Sequence, residues 1–339
     1  MTIHVRPMRD DDRARWDAFV DAHPDATFFH RSGWSEAIQR GFGHRTRYAL
    51  AERDGALVGV LPLTEIKSRV FGHALISNAF SVQGGPLASD SAALTALTDH
   101  ARDQLQQSGA TRLELRSKLP GFTEKEGLYA IFRRQVGTNR DDNLKAIPRK
   151  QRAVLRKVLD TDLEARASRD WATCHRVYAE SVRNLGTPVF PKRWFKALLD
   201  VFGEAADVTT VHDRGTPIAS VLSFWWRGEV LPYYGGGTHA ARGGGYDLLY
   251  WSVMNRLAEQ GGGTFDFGRS KVGTGAYSFK KNWGFEPTPL TYSFQLPQGQ
   301  SVPDLNPLNP KFKLFIAAWK RLPLPVANAL GPLVVRNLG

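Results

Sequence analysis

The chemistry in this chain concentrates between Phe265 and Glu286. There the sequence Phe-Asp-Phe-Gly-Arg-Ser-Lys-Val-Gly-Thr-Gly-Ala-Tyr-Ser-Phe-Lys-Lys-Asn-Trp-Gly-Phe-Glu packs charges, aromatics and glycines more densely than a plain core needs. The stretch reads as one wall of an active site. Phe265 and Phe267 alternate with Asp266 as in a half-buried strand. Gly268 is expected to end that run, so that Arg269, Ser270 and Lys271 project from a strand end, where open sheets commonly meet ligands. Gly273 and Gly275 then permit unusual backbone dihedrals or a close approach to substrate, before Tyr277, Phe279, Lys280 and Trp283 resume an aromatic and basic pattern. A glycine-rich hairpin with solvated lysines would have the same composition.

A second group suits phosphate. After the apolar stretch Val230 to Tyr234, a loop from Gly235 to Gly245 leads into a helix expected over Tyr246 to Glu259. Free N–H groups at that helix start, together with Arg242, Gly243, Gly244 and Gly245, could hold a pyrophosphate; a flexible hairpin tip is the alternative. The first-half counterpart around Gln83-Gly84-Gly85-Pro86 has no equivalent arginine, and Pro86 lacks an N–H, which places donor chemistry in the second half.

Between Lys145 and Lys157 stand six basic residues and no acid. Arg149, Arg152 and Arg156 fall on one side of a helix that also carries Lys150, while Leu155, Val158 and Leu159 can face a core. Such a face could bind an anion, or be a solvated linker. Tyr178 to Pro188 looks like a helix end closed by Leu185-Gly186, with Arg183 and Asn184 emerging where they could read a carboxylate or sugar phosphate, or act only in the cap. Cys174 is the single cysteine and so cannot form an internal disulfide; it is a candidate thiol, although a lone cysteine more often fills a core. The nine histidines are scattered without metal-ligand spacing, and no metal is expected.

The elements that must position these residues recur. Tyr48 to Val60 reads as strand, turn at Asp54-Gly55 and strand, and Thr209 to Val221 repeats it with Asp213-Arg214-Gly215 at the turn. Ala93 to Gln107 has helical apolar spacing and leads into the strand Arg112 to Arg116; Leu248 to Gln260 leads likewise into Thr264 to Gly268. The offset of about 150 to 160 residues predicts two similar mixed α/β domains (an α+β mixed sheet in each), over 1–140 and 141–300, followed by a basic amphipathic tail over 301–339. In the tail, Lys311, Lys313, Lys320, Arg321 and Arg336 stand among apolar residues without an acid from Leu305 onward, and Phe312, Phe315 and Trp319 recur at helical spacing. It could pack across the domains or lie on the cytoplasmic leaflet.

With 339 residues, 42% of them hydrophobic, the chain can bury a large core. No signal-like start and no run of about 20 apolar residues is present, so a cytoplasmic location is expected, peripheral at the inner membrane face if the tail binds it. The net charge of +12 favours an anionic partner such as RNA, a nucleotide diphosphate or an anionic membrane.

Three ordered segments carry a family resemblance: Asn143 to Arg152 (Asn-Leu-Lys-Ala-Ile-Pro-Arg-Lys-Gln-Arg), Ser181 to Phe190 (Ser-Val-Arg-Asn-Leu-Gly-Thr-Pro-Val-Phe) and the Asp-Phe-Gly-Arg-Ser run from Asp266. Through them the chain resembles the FemAB-like proteins, whose halves are tandem acetyltransferase-like (GNAT) domains, and within these the subgroup associated with exosortase and exopolysaccharide systems. The resemblance implies transfer of an acyl or aminoacyl group to an amine of a cell-envelope glycan or peptidoglycan-type precursor. The donor would be aminoacyl-tRNA or acyl-CoA, with no tightly bound cofactor. Arg242 and its glycines are similar to the phosphate-binding turn of GNAT enzymes, although the spacing is compressed. The Phe-Lys-Lys-Asn-Trp-Gly element matches one in which a lysine offsets negative charge at the transfer centre, a role that falls to Lys280. Such a transfer must orient a neutral amine and stabilise an oxyanion. Asp266 is then the candidate base, unless it only pairs with Arg269, and Glu114 holds its place in the first half. Tyr277 joins Asp266 and Lys280 in the catalytic set; Arg183, Asn184, Arg269, Ser270, Tyr234 and Trp283 form the substrate-binding set. A non-catalytic adaptor that binds an anionic glycan would use the same pocket.

Overall fold

The structure is a computed structural model and describes every residue except 1, 70, 301 and 303–312. The start of the expected tail, including Leu305, Lys311 and Phe312, therefore lies outside the described residues. The chain forms two compact units, one of residues 1–127, 290–305 and 335–339 and the other of residues 128–289 and 306–334. Neither is a continuous stretch: the chain changes unit inside a strand at 127/128 and again at 289/290, and at the end of a helix at 334/335.

The first unit contains β1 (Ile3–Pro7), α1 (Arg13–Ala22), α2 (Gly33–Phe42), β2 (Arg45–Thr46), β3 (Ala49–Arg53), β4 (Ala56–Leu61), β5 (Thr64–Ser68), β6 (Gly72–Ser77), β7 (Leu87–Ala88), α3 (Ser91–Ser108) and β8 (Arg112–Leu115). Next come β9 (Thr123–Val136), α4 (Arg140–Ala146), α5 (Arg149–Leu159), β10 (Glu164–Ser168), α6 (Trp171–Leu185), α7 (Lys192–Phe202), β11 (Ala206–Asp213), β12 (Thr216–Trp226), β13 (Glu229–Gly237), α8 (Gly245–Glu259), β14 (Gly263–Lys271) and α9 (Gly275–Asn282). The chain continues through β15 (Pro287–Gln295), α10 (Lys313–Arg321) and α11 (Leu324–Val335).

Both expected hairpins form. Asp54 and Gly55 take φ of 50° and 80°, and Arg214 and Gly215 take 47° and 80°, the paired left-handed dihedrals that let a two-residue turn follow the twist of its strands. In the first unit β1-β3-β4-β7 form one sheet, and the last residues of β15 continue a second through β8, β6, β5 and β2. Helix α3 starts where Asp90 accepts a hydrogen bond from the Ala93 N–H (2.9 Å) and ends at left-handed Gly109. Its Leu97 and Ala101 bury against Leu61, Leu75, Leu113 and Leu115.

The second unit has strand order β10-β11-β12-β13-β14-β9. Every pair is antiparallel except β13 with β14, which is parallel and matches only Glu229 with Thr264 and Val230 with Phe265. Beyond those two pairs the strands part. Gly235 to Gly237 belong to β13 rather than to a loop, which corrects the expectation of a hairpin tip. A Cβ on Gly236 would lie 2.7 Å from Ser181 of α6, and one on Gly235 would lie 2.9 Å from the Tyr250 hydroxyl of α8. Side-chain-free backbone thus lets α6 and α8 press on opposite faces of the strand. The core between α8, α5 and the sheet is built from Leu155, Val221, Leu249, Met254, Phe265 and Trp283.

Candidate active site

β14 does not stop at Gly268 as expected but runs to Lys271, with a bulge on the way. Asp266 pairs with Arg133 of β9 and Arg269 with Ile131, so Phe267 and Gly268 together oppose Phe132, and Gly268 takes a φ of 67°. Asp266 closes the bulge by accepting a hydrogen bond from the Gly268 N–H (2.6 Å). A register shift also occurs in β13, where Leu222 pairs with Tyr234 but Ser223 with Pro232. The parting strands are therefore both kinked, and both have ladder bonds only on their outer sides beyond the first residues.

Past the bulge the chain forms helix α9, which rules out the alternative of a glycine-rich hairpin. Thr274 caps it by accepting from the Tyr277 N–H (3.4 Å), and Gly275 is an ordinary helical residue without special dihedrals. The helix carries Lys280 back to the bulge. Its Nζ donates to the carbonyls of Gly268 and Arg269, each at 3.1 Å, and sits 5.4 Å and 5.9 Å from the ring centres of Phe132 and Phe267. Tyr277, one turn earlier, stands edge-on to the same Phe132 ring at 5.1 Å.

This placement governs the electrostatics. Burial pushes the Lys280 ammonium down to about 7, against the pull of the Asp266 carboxylate. Burial likewise pushes the Asp266 carboxyl up to about 6, opposed first by Arg133. The ion-pair partner of Asp266 is Arg133 (3.4 Å), which also holds Glu229; the expected pairing with Arg269 does not form. Arg269 instead lies over the Tyr129 ring at 4.5 Å. A carboxyl and an amine that both titrate near neutrality thus lie at one strand bulge, each able to exchange a proton at physiological pH.

Around that pair, Ser270 is 6% exposed and its buried Oγ has no hydrogen-bond partner. Tyr234 is buried among Tyr178, Phe190, Trp194 and Phe195; burial holds its phenol well above the usual range, while Arg269 acts in the opposite sense. Trp283, expected in the substrate set, has no exposed surface and packs on Phe267 and Phe279. It is a core residue. Cys174 is also buried, and its thiol is pushed up to about 12, so it fills the core between α6 and β13 rather than serving as a nucleophile.

The phosphate-type turn lies past the C-terminal end of β13, on the side where the strands have parted. Arg242 is exposed, and the Leu248 N–H makes the first helical bond of α8, to the Gly244 carbonyl (3.0 Å). Gly244 (φ 107°) has a packing reason of its own, since a Cβ there would lie 2.3 Å from Val158 of α5. Sequence reading missed Asp247, in the first turn of α8. Its carboxyl is pushed up by burial and accepts from the Gln151 amide (2.5 Å), so a carboxyl group already sits among the N–H groups expected to receive a phosphate.

Helix α5 presents Arg149, Lys150, Arg156 and Lys157 to solvent while Leu155 and Val158 are buried, as the spacing predicted. Arg152 is diverted: it donates to the Lys145 carbonyl (2.9 Å) at the end of α4. Arg183 and Asn184 stand apart from the bulge at the end of α6. Gly186 forms the expected left-handed cap (φ 82°), and Arg183 donates to the Leu322 carbonyl (3.5 Å).

Residues 140–281 match the family described as an acetyltransferase (GNAT) domain, which covers the splayed strands, the bulge and most of α9. No curated protein matches the chain in sequence. Among solved structures the chain is similar to FemX (TM-score 0.66, 16% identity, 85% of this chain and 96% of that one). It is also similar to a tandem GNAT protein from the clavulanic acid biosynthesis pathway (0.57, 13%, 88% and 100%). A third is the C-terminal domain of a putative lysylphosphatidylglycerol synthetase from Agrobacterium fabrum (0.55, 13%, 85% and 92%). The fold is thus a mixed α/β fold shared with FemX and with a tandem GNAT protein. Residues 140–281 form a GNAT-type acyltransferase domain, and the parted strands and the bulge lie within it.

Proposed function

We propose that the protein moves an aminoacyl or acyl group from a phosphate-bearing donor to an amine of a cell-envelope glycan or peptidoglycan-type precursor, with the chemistry in the second unit. The observation that carries this reading is the Lys280 amine buried against the β14 bulge within the GNAT-matching segment. The acceptor amine attacks the donor carbonyl, a C–N bond forms, and the C–O bond to tRNA or the C–S bond to coenzyme A breaks. A neutral Lys280 keeps two N–H donors on the carbonyls of Gly268 and Arg269 and retains a lone pair for the proton that the acceptor amine must lose. In its cationic form it offsets the negative charge that develops on the carbonyl oxygen. Asp266 accepts or relays that proton, and the Ser270 hydroxyl orients the acceptor. Tyr277 holds the Phe132 ring beneath the amine.

A second reading, acyl-CoA as donor in exopolysaccharide synthesis, is favoured by the GNAT match and by exposed Arg242 beside the start of α8. The exosortase-associated assignment rests on the three sequence segments alone. Several of their residues hold the fold: Asn143 bonds both backbone groups of Gly137, Arg152 caps α4, and Gly186 makes room for Ile316.

A thermal-shift titration against coenzyme A, acetyl-coenzyme A, deacylated tRNA, aminoacyl-tRNA and nucleotide-linked amino sugars separates the readings. A donor at about 100 times its Kd adds about 2.7 kcal/mol of stability, a shift of several degrees. Stabilisation by coenzyme A alone selects the second reading, and a selective response to tRNA the first. Silence from every donor overturns both.

A further inference from the structure

We propose that α10 and α11 form a docking surface for an anionic lipid bilayer, an attachment that is independent of the transfer chemistry. The two helices are fixed by their inner faces. Gly186 at the end of α6 must lack a side chain because a Cβ there would lie 2.5 Å from Ile316 of α10, and Trp319 is buried. Gly331 of α11 is equally constrained, since a Cβ there would lie 2.7 Å from the Val189 backbone.

What the helices turn outward is apolar. Leu314 is 85% exposed, Phe315 42%, Val326 42%, Leu330 43% and Leu333 61%. Val326, Leu330 and Leu333 recur at helical spacing on one stripe of α11, opposite buried Ala327 and Gly331. Leu185, beside the Gly186 contact, is 66% exposed. These account for six of the nine large apolar side chains exposed among the described residues, so the exposure is concentrated rather than scattered.

Charge selects the occupant. Lys313, Lys320 and Arg321 of α10 are exposed, and no acidic residue occurs from residue 305 to residue 339. Apolar side chains beside cations, on helices too short to cross, match the interface of a bilayer with negatively charged headgroups. A protein partner would have to supply an acidic rim around an apolar centre, whereas an anionic bilayer presents both over any area.

Co-sedimentation of the full chain with vesicles tests this. Binding is expected to phosphatidylcholine vesicles containing phosphatidylglycerol and not to phosphatidylcholine alone. The double substitution Leu314→Glu/Leu330→Glu should weaken it at least about tenfold. Lys313→Glu/Lys320→Glu, which leaves the apolar stripe and the buried contacts intact, should also weaken it and guards against misfolding of the first variant. Phe71→Glu, at an exposed apolar position of the first unit, should bind like the parent. The proposal is overturned if the parent chain does not bind anionic vesicles, or if both double variants bind as well as the parent, which would make basic α5 the contact. It also fails if the parent ignores vesicles but self-associates in a way that Leu314→Glu/Leu330→Glu abolishes, which would assign the face to a second copy of the chain.

Discussion

β8 in the first unit and β14 in the second follow the same hairpin and helix, yet one is closed where the other is open. β8 pairs in parallel with β6 along its whole length, from Ala74 with Arg112 to Ser77 with Leu115. β14 pairs in parallel with β13 at two positions and then leaves it. The polar groups follow suit. At the end of β8, buried Arg116 is fully engaged with the Glu114 carboxylate (3.0 Å), the Ser81 carbonyl (2.5 Å) and the Gly339 carbonyl (3.2 Å). At the matching place in β14, Asp266 and Lys280 titrate near neutrality and the Ser270 hydroxyl is unspent. A repeated plan thus supplies one saturated scaffold and one site with hydrogen-bonding capacity left over for a substrate.

The sharpest way to break this comparison is to remove the amine. Lys280→Met keeps the apolar stem of the side chain over Phe132 and Phe267 and should lower turnover at least about tenfold, equivalent to about 1.4 kcal/mol of barrier, with donor binding retained. Unchanged turnover in a folded protein would return Lys280 to a purely structural role. Next in size is the effect on donor binding of Arg149→Glu/Arg156→Glu on α5, measured as a function of salt. For each donor phosphate that the helix no longer neutralises, the log–log salt slope should flatten by about one; an unchanged slope would make the helix a solvated face.

The pH dependence of stability tests the open site without any substrate. Lys280 titrates at about 7 in the folded chain, against an ordinary 10.5, so the folded state holds fewer protons between those values and its stability rises with pH across that window. Asp266 runs the other way. Its carboxyl titrates at about 6 against an ordinary 3.8, the folded state holds more protons in between, and stability falls as pH rises through that range. The two limbs meet in a minimum between pH 6 and 7. Urea titrations at several pH values should show the double variant Asp266→Asn/Lys280→Met gaining stability relative to the parent in that interval, with both limbs flattened.

Ser270→Ala should raise KM a few-fold while leaving stability unchanged or higher, because an unsatisfied buried hydroxyl costs about 1–3 kcal/mol. A loss of stability with unchanged KM would show that the hydroxyl is used within the fold. The smallest effect is expected at the closed site, where Glu114→Gln should leave turnover alone and register only in thermal unfolding. A loss of turnover there would mean that the two units share the chemistry.

Much of the scaffold was legible because it depends on local rules. Asp54-Gly55 and Arg214-Gly215 turn their hairpins for conformational reasons that neighbours cannot override, and the apolar spacing in α5 already specified which face is buried. The errors lie where a residue's role depends on something distant in sequence. Gly268 looks like a strand end until its partner strand shows a bulge. Gly235 to Gly237 look like a loop until two helices close on them. Trp283 looks like a substrate contact until its neighbours cover it, and Arg152 leaves the basic face because a helix end happens to need a donor.

By itself the sequence determined the hairpin, helix and strand that recur in each half, the basic face of α5 and the cluster of charged and aromatic residues from Asp266 to Lys280. Dihedral preferences, side-chain periodicity and composition act over a few residues and need no knowledge of what packs where. Only the tertiary structure decided that β13 and β14 part after two pairs, that α9 carries Lys280 back into the β14 bulge, and that Arg133 rather than Arg269 faces Asp266. Those outcomes depend on burial and on contacts between segments far apart in the chain. Burial is also what brings the amine and the carboxyl of an otherwise ordinary lysine and aspartate to neutrality.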